Sequence, residues 1–268
     1  VSGFSLHHER IGQNRDRALV LLHGFMGSSA DWRPVAESLG DIATCLCVDL
    51  PGHGKSTGGT PDEYDFVATA ARIVEEVVDA SGFNTFCIGG YSMGGRVALY
   101  TALHFPMRVD GLIIESAMPG LTDATERADR ARHDDALAER LEIEPLDTFV
   151  PEWYDQPLFA SMAAHADLLA ATVSQRLKNE GHELAKALRG FSTGRMPPLW
   201  DEWRKNYIPS LLITGESDEK YGAIAREMLA ACPKARHVAV PGAGHNVHAE
   251  VPTEYIMHLR RFLAEDTL

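Results

Sequence analysis

Short apolar runs that alternate with helical stretches constrain this chain more than any other feature. Ala18–Leu22, Thr44–Val48, residues 85–89 and residues 112–115 each have the length and composition of a buried strand, and residues 210–214 and 237–240 repeat the pattern near the end. Between them, residues 28–39 carry Trp32, Val35, Ala36 and Leu39 at i, i+3, i+4 and i+7, and residues 66–81, Met93–His104, 223–231 and 253–263 also read as helices. Strand and helix alternating at this spacing predict right-handed crossover units around a mostly parallel sheet flanked by helices, an α/β architecture.

The alternation stops over residues 120–203. That stretch is rich in Ala, Glu and Arg and has no β-branched run of strand length. It is punctuated by Pro145, Pro151, Pro157, Gly181, Gly190 and Pro197-Pro198. The expected organisation is a core of residues 1–119 and 204–268, interrupted by a helical cap at 120–203. A chain of 268 residues holds one such domain with its insertion and is too short for two large ones. No repeat, heptad or low-complexity segment points to a scaffold.

Charge narrows the partners. With 25 basic and 38 acidic residues the formal charge is −13, which disfavours nucleic acid and anionic membranes. An anionic small molecule is still compatible, because a pocket can be basic on an acidic protein. No run approaches the roughly 18 apolar residues of a membrane span, and the opening VSGFSLHHERIG has no signal-peptide pattern. Three of the four cysteines (Cys45, Cys47 and Cys87) fall in expected buried strands and no CxxC pair occurs. Reduced structural thiols and a cytoplasmic location are therefore expected. The oligomeric state is left open, a monomer being compatible.

Gly90-Tyr91-Ser92-Met93-Gly94 lies between an apolar strand and a helix. This is where a G-x-S-x-G turn exposes a serine hydroxyl at a helix N-terminus. Of 12 histidines, His245 in Gly242-Ala243-Gly244-His245-Asn246 follows the last short strand and suits a general base. Asp218, after residues 210–214, can orient it, with Glu216 and Glu219 as nearby competitors. The order Ser, Asp, His is the one this fold uses. Developing negative charge needs donors, and the backbone N–H groups of Phe25 and Met93 are the expected oxyanion hole. His23, before Gly24 and Phe25, can either support that loop through a structural hydrogen bond or contact substrate.

Competing motifs fail. Gly52-His53-Gly54-Lys55-Ser56 resembles the end of a phosphate loop, but the first glycine of that pattern would stand at Asp49. Gly89-Gly90 with Gly94-Gly95 does not make a dinucleotide fingerprint, and no metal-ligand spacing is present. No cofactor or metal is expected. His7, His8, His104 and His133 read as surface residues.

Arg96 follows Ser92 by four residues and can face the same mouth of the sheet, although a salt bridge between helices would explain it equally. Arg127 and Arg130 share a helical face at the start of the cap, while Arg132 points elsewhere. They fit either a solvated, salt-bridged helix or a receptor for carboxylates.

Several segments together resemble one family: Leu22-His23-Gly24-Phe25, Asp49-Leu50-Pro51-Gly52-His53-Gly54, Gly90-Tyr91-Ser92-Met93-Gly94-Gly95-Arg96, Pro119-Gly120-Leu121 with Arg127 and Arg130, Trp153-Tyr154-Asp155-Gln156-Pro157-Leu158-Phe159, and Gly244-His245-Asn246. The chain is similar in these to the menaquinone-pathway synthases that form 2-succinyl-6-hydroxy-2,4-cyclohexadiene-1-carboxylate, on an α/β-hydrolase fold. The resemblance implies a lyase. Ser92, activated by His245 and Asp218, would remove a ring proton next to a ketone, and pyruvate would leave by 2,5-elimination. It also implies that Arg96, Arg127 and Arg130 hold substrate carboxylates and that Tyr91 and Trp153 shape the pocket. The segment Glu115-Ser116-Ala117-Met118, at the end of the strand over residues 112–115, departs from the glycine-rich version of some members. The competing readings are a serine hydrolase of an ester, or of a carbon–carbon bond next to a ketone, and a noncatalytic receptor on the same fold.

Overall fold

A computed structural model describes residues 4–14 and 16–265. Residues 1–3, 15 and 266–268, which include the start of the N-terminal stretch and the last residues of the expected core, lie outside the described residues.

Seven strands form one sheet in the order β1-β3-β2-β4-β5-β6-β7. They are β1 (His8–Ile11), β2 (Ala18–Leu22), β3 (Thr44–Val48), β4 (Phe86–Tyr91), β5 (Val109–Glu115), β6 (Ser210–Gly215) and β7 (Ala235–Val240). All neighbours are parallel except β1, which runs antiparallel to β3 with His8 opposite Val48. Strands β2, β3 and β4 are buried along their whole length, as a parallel sheet covered on both faces requires. Along β2, alternate residues serve opposite layers: Val20 and Leu22 join one core, with Leu46, Val48, Ile88 and Val97, and Leu19 and Leu21 join the other, with Cys45, Cys47, Ile113 and Leu259.

The helices occupy the positions that the periodicity predicts, with local differences. Residues 28–39 begin as a 3-10 turn, Ser29–Trp32, before α1 (Arg33–Leu39). Helix α2 (Phe66–Arg72) continues as a wider π-helical stretch, Ile73–Asp79. α3 (Met93–His104) follows the serine turn directly. The edge strand β1 is an element the sequence reading did not include. Its residues His-Glu-Arg-Ile are half-buried or exposed, so it lacks the continuous apolar signal of its neighbours.

The insertion after β5 is helical, as expected. It comprises α4 (Ala124–Ile143), α5 (Leu146–Tyr154), α6 (Ala160–Ala163), α7 (Ala166–Arg176) and α8 (Gly181–Gly190). α4 begins at Asp123, whose carboxylate accepts the Thr125 and Glu126 N–H groups at 2.9 Å each. The cap has its own core of Leu141, Phe149, Val150, Phe159, Met162, Leu184 and Leu188, joined from below by Met26. α9 (Trp200–Arg204) packs with the main core rather than with the cap. Trp203 donates its indole N–H to the Met228 carbonyl at 2.9 Å, from α10 (Glu219–Ala231), and α11 (Val247–Glu250) and α12 (Pro252–Glu265) close the chain. No helix among the described residues is long and apolar enough to cross a membrane.

The cap meets the core with little room to spare at the end of α8. A Cβ on Gly190 would stand 1.5 Å from the Tyr64 carbonyl oxygen, and backbone there has no easy way to yield. Gly190→Ala is expected to cost about 1–3 kcal/mol, read as a lower urea midpoint with an unchanged slope.

Candidate active site

The serine turn is built from backbone contacts that exclude side chains. Ser92 sits at φ 51° and ψ −108°, a conformation an L-residue adopts only when its surroundings enforce it. A Cβ on Gly90 would lie 2.3 Å from the Gly94 carbonyl oxygen, and one on Gly94 would lie 2.3 Å from that of Leu22. Helix α3 therefore starts almost against β2, and the Ser92 N–H is held by the Glu115 carbonyl at 2.9 Å. This leaves the Ser92 side chain standing above the C-terminal edge of the sheet.

His245 reaches it from the loop after β7. Its Nδ1–H donates to Asp218 Oδ2 at 2.7 Å, so Nε2 is the acceptor that faces Ser92 Oγ at 3.3 Å. The second Asp218 oxygen accepts the Tyr221 N–H at 3.1 Å. Asp218 is buried, whereas Glu216 and Glu219 are exposed, which separates the acid from its two sequence neighbours.

The N–H groups of Phe25 and Met93 find no acceptor among the described residues, and both residues line the cavity in front of Ser92. The loop carrying Phe25 is braced from beneath. His23 is fully buried. Burial holds its pKa below the ordinary value, so the ring is neutral. Nδ1–H donates to the Gly24 carbonyl at 2.7 Å and Nε2 accepts the Leu50 N–H at 2.9 Å. Asp49 accepts the N–H groups of Ser29 at 2.6 Å and Lys55 at 2.9 Å; burial raises its pKa, but these hydrogen bonds outweigh that and hold it low. The residue that breaks the phosphate-loop pattern is thus an internal anion for that turn. From above, Arg176 of α7 donates to Asp31 Oδ1 at 2.8 Å and to the Tyr154 hydroxyl at 3.1 Å, while Asn179 donates to the Met26 carbonyl at 2.8 Å.

The cavity between cap and core holds about 530 Å³ and is lined by Tyr91, Ser92, Arg96, Arg130, Trp153, Phe159, Tyr221 and His245, among others. Arg96 is its least ordinary member. Its Nη1 donates to the Phe191 carbonyl at 2.5 Å and its guanidinium lies over the Phe66 ring. No carboxylate among the described residues pairs with it, and burial lowers its pKa to about 10. Arg130 is tied through Nε to both oxygens of the buried Asp134 at 2.9 Å, with its Nη groups left for the cavity.

Two expected contributors lie elsewhere. Arg127 does not line this cavity, because its Nε turns to the Gly194 carbonyl at 3.3 Å, at the seam between α4 and the loop after α8. His23 is beneath the loop and outside the lining. Conversely, His133, Lys220 and Tyr221 line the cavity and were not singled out as site residues. Tyr221 lies against His245 in a tilted arrangement with ring centroids 4.8 Å apart. Its place three residues after Asp218, in the first turn of α10, was the available signal. Among the described residues no group of three or more His, Cys, Asp or Glu side chains could hold a metal ion.

The family model of the α/β hydrolase fold matches residues 17–252. The 2-succinyl-6-hydroxy-2,4-cyclohexadiene-1-carboxylate synthase of Enterobacter sp. (strain 638) is 38% identical over 246 residues, covering 91% of each chain. The chain belongs to this synthase family of α/β hydrolases. The solved structure of MenH from S. aureus superposes with a TM-score of 0.92 at 33% identity, covering 98% of this chain and 99% of that one. Protein PHYLLO of Arabidopsis thaliana is 34% identical over 284 residues, but the chain spans 16% of that longer protein.

With Asp218 as the only buried acid on His245, Asp218→Asn is expected to lower turnover about 10²–10⁴-fold, whereas Glu216→Gln and Glu219→Gln should stay near wild type. Steady-state rates of the three variants decide it.

Proposed function

We propose that this protein eliminates pyruvate from 2-succinyl-5-enolpyruvyl-6-hydroxy-3-cyclohexene-1-carboxylate, with Ser92 as the proton-abstracting base. The observation that carries this reading is Arg96: a half-buried guanidinium without a carboxylate partner among the described residues, opening on the same cavity as the triad. Keeping such a cation unpaired is costly unless a ligand supplies the anion. A tri-anionic substrate does so, and an apolar acyl ester does not.

In this mechanism His245 takes the Ser92 hydroxyl proton as Ser92 takes the proton from ring carbon 2, next to the succinyl ketone. The C–H electron pair first enters the ketone as an enolate, whose oxygen meets the Phe25 and Met93 N–H groups. As the enolate collapses, the pair becomes the C2=C3 bond, the old C3=C4 bond moves to C4=C5, and the C5–O bond breaks. The leaving enolpyruvate takes up a proton to become pyruvate. Asp218 stabilises the imidazolium throughout.

Arg96 and Arg130 hold carboxylates through planar, bidentate pairs. Tyr91 and Trp153 bound the ring, and Arg127 and His23 act on the site through the backbone that they brace. We take residues 120–203 as the segment inserted between the core halves, 1–119 and 204–268, with its last residues, Trp200 to Trp203, packed back onto the core. Cys45, Cys47, Cys87 and Cys232 are all buried thiols, which supports a reducing cytoplasm as the place of work.

Freshly prepared substrate should be converted to pyruvate and the cyclohexadiene product in equal amounts, with Ser92→Ala slower by at least about 10³-fold. A folded wild-type protein that does not outpace the spontaneous reaction would sink the lyase reading in favour of a hydrolase of another anion. Arg96→Lys should lower kcat/KM about 10–100-fold, the loss of one charge-assisted hydrogen bond; unchanged affinity would remove the bidentate role.

A further inference from the structure

Glu115 and His248 form a buried ionisable pair that the chemistry above does not use. Glu115 ends β5 and is fully buried; His248, in α11, is 5% exposed. His248 donates twice to the same carboxylate. Its backbone N–H reaches Glu115 Oε1 at 3.1 Å, and its Nδ1–H lies 3.0 Å from Oε1 and 2.8 Å from Oε2. The ring is stacked on Trp32 with centroids 4.1 Å apart, and the edge of Tyr91 approaches it at 5.2 Å. Tyr91 in turn meets His245 at 5.3 Å.

The main chain of Glu115 does something different: its carbonyl accepts the Ser92 N–H at 2.9 Å. One residue therefore holds the nucleophile through its backbone and the loop of the general base through its side chain. The serine turn after β4 and the His245 loop after β7 are far apart in sequence, and β5 and β6 lie between those strands in the sheet. Asp218 holds His245 from the β6 side, and the Glu115–His248 pair ties the same loop to the strand that holds Ser92. We infer that Glu115 is a positioning residue for catalysis, setting the Ser92–His245 geometry by anchoring His248 three residues beyond the base.

A buried pair of this kind is a poor source of stability, since an apolar pair of similar volume commonly serves as well or better. Its value is in geometry, and a displacement of about 1 Å in a reacting group can cost about 10²-fold in rate. The inference rests on Ser92 and His245 being nucleophile and base and does not depend on which substrate they act upon.

The test separates position from stability. Glu115→Leu/His248→Phe replaces the pair by packed apolar groups and leaves no buried charge alone. The backbone N–H of residue 248 loses its acceptor, so the variant should unfold somewhat earlier than wild type but stay folded under assay. Per folded molecule it should lose about 30–100-fold in kcat with KM within threefold, with Ser92 reacting correspondingly slowly with a fluorophosphonate probe. Glu115→Gln can accept the His248 N–H and donate to Nδ1 of the other tautomer, so it should restore kcat to within about threefold of wild type.

A double variant with wild-type kcat would overturn the inference. So would a loss that disappears when rates are normalised to folded protein, or a Glu115→Gln variant as slow as the double variant. Because probe labelling needs no particular substrate, wild-type protein that labels rapidly but eliminates no pyruvate would refute the lyase reading and leave this one standing.

Discussion

Helix α3 begins in direct contact with the backbone of β2, and the site depends on that contact. Glycines at 90 and 94 permit it; the collision of any Cβ with the Leu22 or Gly94 carbonyl would push the helix away. The same approach puts Ser92 into its unfavourable φ, aims its hydroxyl at the cavity, and sets the Met93 N–H beside the loop that carries Phe25. The Ser92 hydroxyl and the Met93 N–H are thus placed by one packing event. His245 and Asp218 are brought to them by the C-terminal ends of β7 and β6.

Electrostatics then specialises a common scaffold. A protein with a formal charge of −13 places Arg96 and Arg130 on a cavity that also takes Lys220 and His133 and is walled in part by Phe25, Tyr91, Trp153, Phe159 and Tyr221. Arg130 is steadied by Asp134, which also accepts from the Ser192 hydroxyl at 2.6 Å. Arg96 has only a carbonyl and an aromatic face. The local field is therefore positive where a carboxylate would be desolvated, and the protein surface, largely acidic, does not cancel it at that depth.

The elements most legible in the sequence were those whose burial is complete. β2 and β3 are unbroken apolar runs because both faces of a parallel sheet are covered, and α3 starts where the glycine turn leaves no alternative. β1 escaped because an edge strand with one partner shows no such run. The triad was legible because turn chemistry and chain order fix it locally. The arginines were only half legible: helical spacing puts Arg127 and Arg130 on one face, but which of them meets the cavity depends on Gly194 and Asp134, 67 and 4 residues away. Tyr221 and the Glu115–His248 pair depend on contacts between distant elements and leave no periodic trace.

The ties from α7 to the oxyanion loop, Arg176 to Asp31 and Asn179 to the Met26 carbonyl, make the cap part of the catalytic apparatus rather than a lid laid over it. Arg176 and Asn179 couple the end of α7 to the segment on either side of Met26, so the turn that presents the Phe25 N–H is held from the cap as well as from the core. Substitutions in the cap, far from the reacting groups, can therefore act on the backbone donors that face the cavity.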